Sequence, residues 1–139
     1  MNLSPAMQKI FVDELNLIVA KMRESDSPKD KVYFFSAAYA MAQRVINIEY
    51  NPELNFIQQV LQNAYETIYK RVNMISSSQQ TNIPVIDNMF VRIEEELEEM
   101  VKSIEEGKET YSHLQTILNL SYSTTGNGYY LYLKGMLKV

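Results

Sequence analysis

Apolar residues recur along this chain at spacings of three and four, and four prolines stand where the recurrence is interrupted. Met7, Phe11, Leu15, Ile18 and Met22 fall on one stripe of a helix with 3.6 residues per turn. Leu54, Ile57, Leu61, Ala64, Ile68, Val72 and Ile75 form a second stripe. Ile86, Phe90, Ile93, Leu97, Met100 and Ile104 step by four and three alternately, a heptad-like seam. Ser4-Pro5, Ser27-Pro28 and Asn51-Pro52 each pair a capping residue with proline at the first helical position. There the missing N–H costs nothing and the ring presets φ. Pro84 follows the polar stretch from Ser76 to Asn82. The residue before a proline is driven out of the helical region, which ends the preceding element.

These signals predict helices from Pro5 to about Arg23, from Pro28, from Pro52 to about Ile75, and from Pro84 to a stop at Gly107. Thr110 is placed to cap a shorter helix carrying Leu114, Ile117 and Leu118. Rods of ~20–24 residues are ~30–36 Å long, and four of matching length suit an up-and-down bundle. The expected fold is all-α: a single domain over residues 1–139, a four-helix up-and-down-type bundle with a short C-terminal extension.

Two segments stand apart from the stripes. Val32 to Ala42 is apolar on every face, with Ser36 the one interruption, which predicts a second helix enclosed on most sides. Its link to the third helix reads as Asn51 alone, a sharp corner. Thr124-Thr125-Gly126-Asn127-Gly128 reads as a loop. Beyond it, Tyr129 to Leu133 favours a strand by propensity, hairpinned with Asn119 to Ser123. A lone hairpin is marginal in water, so a short helix is the preferred reading of the extension and the hairpin its alternative.

Composition narrows the chemistry. No cysteine is present, which excludes disulfides, thiolate nucleophiles and Cys-ligated zinc. The single histidine, His113, excludes a multi-histidine metal site. No metal or cofactor is expected. There is no secretory-type segment and no run of ~20 apolar residues, so a cytoplasmic protein without membrane association is expected. The net charge of −4 argues against nucleic acid, because phosphate neutralisation drives non-specific affinity. From Pro84 to Glu106, eight acids against Arg92 and Lys102 give −6, leaving +2 for the rest.

Within that acidic stretch, Glu94-Glu95-Glu96 and Glu98-Glu99 are expected to form a solvated helix face, with Glu98 and Lys102 paired at i,i+4. His113 lies four residues after Glu109, close enough to meet it on one helical face. A triad built on His113 needs an activated serine, and Ser112 and Ser121 sit in no recognisable turn motif. A small-ligand or anion site is expected, if anywhere, at His113, Thr124, Thr125, Gly126, Asn127, Gly128 and Tyr129, where glycines allow close backbone approach. The loop lacks the nucleotide-binding glycine–lysine pattern.

Ten tyrosines supply the remaining chemistry. Tyr33, Phe34 and Tyr39, with Tyr130 and Tyr132, are the expected interface residues of a homodimer that avoids the acidic face, since like charges in a desolvated seam are costly. The expected function is a non-catalytic helical protein acting by self-association or partner binding. The alternative is a ligand-binding protein or enzyme using the glycine loop.

Overall fold

The computed structural model describes residues 1–78 and 83–125. They form five helices: α1 (Pro5–Glu24), α2 (Pro28–Ile48), α3 (Pro52–Ser78), α4 (Ile83–Glu105) and α5 (Tyr111–Thr125). The chain is all-helical, with no strand among the described residues.

Local chemistry sets the helix ends. Ser4 Oγ accepts the Met7 N–H at 3.3 Å, Ser27 Oγ the Asp30 N–H at 3.1 Å, and the buried Asn51 Oδ1 the Leu54 N–H at 3.0 Å. Each bond satisfies one N–H that a helix start leaves without an internal partner. The α2–α3 link is three residues, Glu49 to Asn51, rather than one. The Glu49 carboxylate accepts the Ser4 N–H at 2.7 Å, so the link also fastens the start of α1. Gly107 ends α4 at φ 71. Its N–H donates to the Ile104 carbonyl and the Lys108 N–H to that of Ser103, the paired bonds of a Schellman stop.

The start of α5 departs from expectation. Thr110 does not cap through its side chain: its hydroxyl donates to Glu53 Oε1 on α3 at 2.8 Å. Glu109 takes the capping role, accepting from the Ser112 N–H and hydroxyl at 3.1 and 2.7 Å. α5 then continues through Asn119 to Ser123, where the hairpin alternative placed a strand, and through Thr124 and Thr125, which corrects the loop expected at those two residues. Leu114, Ile117, Leu120 and Ser121 are buried along one helical stripe, which holds this segment in helical form against its neighbours. Gly126, Asn127, Gly128, Tyr129, Tyr130 and Tyr132 lie outside the described residues.

The helices close into a ring. α1 packs on α2, α2 on α3, α3 on α5, α5 on α4, and α4 on α1. Thr110 meets Glu53 near the starts of α5 and α3, and the Tyr122 hydroxyl donates to Asn63 Oδ1 at 2.9 Å further along both. α3 and α5 are therefore parallel neighbours. α5 is a wall between α3 and α4 rather than an appendage to four rods.

The core fills the inside of this ring. Phe11, Phe35 and Phe90 have no exposed surface, nor do Leu15, Leu61 and Ile93. Each such side chain contributes about 1.5–3 kcal/mol through burial. In α2, Phe35, Ala38 and Ala42 are fully covered, but Tyr33 is 71% exposed and Ala40 is exposed. The enclosed helix expected from Val32 to Ala42 is thus covered on one side only. The cause is the ring itself: α1 and α3 flank α2, and no further described layer covers its outside.

The acidic run is likewise more than a solvated face. Glu94 is 3% exposed and lies 3.2 Å from Lys31 Nζ on α2 and 3.7 Å from Arg23 Nε on α1. Arg23 also bonds Glu98 and holds its carboxyl below the usual carboxylate range. Lys102 pairs with Glu99 at 3.2 Å instead of the expected Glu98.

One half-buried cation, Arg71, has no such compensation among the described residues. Nε and Nη2 of Arg71 on α3 are buried without a hydrogen-bond partner, and burial pulls the guanidinium pKa down. Unpaired donors removed from water are costly. Arg71→Met is expected to raise stability by about 1 kcal/mol, read as about 3 °C in Tm. A lower Tm in the variant would show that Arg71 makes a stabilising pair.

Candidate functional site

A chain of three polar side chains lies where α5 folds back on α4. Glu96 and Ser103 are seven residues apart on α4, two turns, and so share a face. The Gly107 stop and the short link after it return the chain so that His113, third residue of α5, reaches that face. His113 Nδ1 lies 2.9 Å from Glu96 Oε2, and its Nε2 lies 3.0 Å from Ser103 Oγ. Ser103 is 8% exposed, while the His113 and Glu96 side chains are 22% and 27% exposed.

The donor inventory orders this chain of bonds. An ionised carboxylate only accepts, so Nδ1 carries the proton opposite Glu96. In the neutral ring Nε2 then holds a lone pair, and the Ser103 hydroxyl donates to it. That is the polarity of a nucleophile, a base and an orienting carboxylate. Glu109, the partner expected for His113, instead bonds Ser112, which lowers its carboxyl pKa, with His113 a minor contributor through space. The sequence reading places Glu96 in the acidic run but not beside His113, and does not name Ser103. The available signal was their seven-residue spacing on α4, with Ser103 a small polar residue between Lys102 and the buried Ile104. Among the described residues no group of three His, Asp or Glu side chains could hold a metal ion.

Of the other expected ligand residues, Thr124 and Thr125 lie among the described ones. Thr124 and Thr125 occupy the last turn of α5. Eleven residues separate Thr124 from His113, about 16 Å along the helix.

The aromatic residues form a separate surface between α2 and α3. Tyr33 meets Phe34 edge-on at 5.5 Å between ring centres. Tyr39 contacts Tyr65 at 5.2 Å, and Tyr65 contacts Tyr69 at 5.7 Å. Burial, helped by Tyr39 and Tyr69, raises the Tyr65 hydroxyl pKa. Lys29, Tyr33, Ser36, Tyr65 and Tyr69 line a cleft of about 220 Å³ here. Sequence reasoning named Tyr33, Phe34 and Tyr39 but missed Tyr65 and Tyr69, which the i,i+4 spacing already places on one face of α3. A second cleft, of about 250 Å³, separates α3 from α5 and includes Phe56, Val60, Tyr111 and Leu118.

Among the described residues no helix is long and apolar enough to cross a membrane. No protein family, curated protein or solved structure matches the chain.

Proposed function

We propose that the protein is a helical interaction module that self-associates as a homodimer through the outer side of α2 and α3, in a cytoplasmic setting. The observation that carries this reading is Tyr33, 71% exposed beside the cleft that Tyr65 and Tyr69 line. Tyrosines offer large, rigid contact area with a polar tip, which is why they are enriched where one protein meets another. A two-fold contact presents the same patch from both partners, so one aromatic surface suffices. The acids of α4 favour this location because Glu94 and Glu98 are engaged with α1 and α2.

Sedimentation at micromolar concentration is expected to give a dimer. Combining Tyr33→Ser with Tyr69→Ser is expected to give a monomer with unchanged helical circular dichroism. A monomeric parent protein, or a dimer that ignores both substitutions, would refute the proposal.

A further inference from the structure

We propose that Ser103 is a nucleophile activated by His113, and that the α4–α5 joint transfers acyl groups from small neutral or cationic esters. This activity is independent of self-association, because its residues lie on α4 and α5 while the aromatic surface lies on α2 and α3.

The first support is geometric. A general base must stand within about 2.6–3.2 Å of the proton it takes, and His113 Nε2 lies 3.0 Å from Ser103 Oγ. The second is the tautomer. Glu96, 2.9 Å from Nδ1, keeps the proton on that nitrogen and leaves Nε2 as the acceptor. Glu96 would also stabilise the imidazolium that forms when Ser103 gives up its proton.

Access and charge set the substrate class. Ser103 is 8% exposed, so a small acyl group reaches it more readily than a bulky one. Lys102 is taken by Glu99 and Lys108 by Glu106, while Glu96 and Glu109 stand beside His113 without a lysine partner among the described residues. An anionic ester is repelled by this surround, and a neutral or cationic one is not.

In the reaction, Ser103 Oγ bonds to the ester carbonyl carbon as its proton passes to His113 Nε2. The carbon–alkoxy bond then breaks, and the leaving alcohol takes the proton from His113. Water, activated by the same nitrogen, releases the acid and restores Ser103. Glu109 occupies N–H donors at the start of α5, so that helix end does not serve as an oxyanion site. Turnover is therefore slow, and covalent labelling is the sharper readout.

The test is reaction of the full chain with a neutral alkyl fluorophosphonate, which forms a Ser–phosphorus bond with loss of fluoride, followed by mass-spectrometric mapping. The expected result is one adduct, on Ser103, absent from Ser103→Ala. The labelling rate should fall about 100-fold or more in His113→Asn and about tenfold or more in Glu96→Gln. Glu96 acts as a positioning residue. Nitrogen-15 spectra of the ring should therefore show the Nδ1–H form in the parent protein and a mixture of tautomers in Glu96→Gln.

Ser103→Cys supplies a second route should Ser103→Ala fold poorly. Its thiol should alkylate faster with His113 present than in the Ser103→Cys, His113→Asn double variant. No adduct on Ser103, labelling spread over surface hydroxyls, or an unchanged rate in His113→Asn would overturn the proposal.

Discussion

Lys31→Met is expected to cost about 2–4 kcal/mol of unfolding free energy, read as a lowered denaturant midpoint at neutral pH. The substitution leaves the Glu94 carboxylate, 3% exposed, with only the Arg23 guanidinium at 3.7 Å as its ion-pair partner. Arg23 is itself 43% exposed at its side chain and shared with Glu98. Removing one member of a buried pair typically costs about 3–5 kcal/mol, because the other charge stays desolvated. Arg23 recovers part of that here. Lys31 also donates to the Met22 carbonyl in the last turn of α1, which accepts the Ser25 N–H at 3.2 Å as well. Replacing both Lys31 and Glu94 with methionine should restore most of the loss, since an apolar pair of similar volume is often neutral. A change below about 0.5 kcal/mol in Lys31→Met would show that Glu94 does not depend on it.

Phe35→Ala is expected to destabilise by about 3–5 kcal/mol, the usual cost of losing a buried ring and leaving a cavity. Phe35 has no exposed surface, and its helix neighbours Ala38 and Ala42 are too small to fill the space. The corresponding fall in Tm is about 10–20 °C. Tyr33→Ala, two positions away on the exposed side, is expected to stay within about 0.5 kcal/mol under conditions that keep the chain monomeric. The contrast tests one-sided burial directly. Equal losses in the monomer would mean that α2 is covered on both sides.

What the sequence disclosed depended on the range of the interaction. Helix starts were legible because their causes lie within four residues: Ser4 to Met7, Ser27 to Asp30, Asn51 to Leu54. The end of α4 was legible because glycine readily takes the left-handed conformation that Gly107 adopts. Partners were not legible. Spacing proposed Lys102 for Glu98 and Glu109 for His113, since only near neighbours can be read from spacing. The structure supplies Arg23, 75 residues away, and Glu96 and Ser103 across the Gly107 turn. Composition likewise overstated the enclosure of Val32 to Ala42, because apolar content reveals no number of covering helices. The aromatic surface was half legible: Tyr33, Phe34 and Tyr39 share one segment, whereas Tyr65 and Tyr69 join them only through the α2–α3 pairing.

The ring order also sets a schedule for the nascent chain. α1, α2 and α3 meet in the order in which they leave the ribosome, but α4 must reach α1 while the space between itself and α3 is still empty. Among the described helices, the one that fills this space is made last. At about 5–20 residues per second, the 15 residues of α5 take about one to three seconds to synthesise. Throughout that interval, the sides of α3 and α4 that α5 will cover stay bare, and the ring remains an open trough of four helices. Its last wall does more than add one more contact: it seals two seams at once, so completion of the core is a single late event in the life of each molecule.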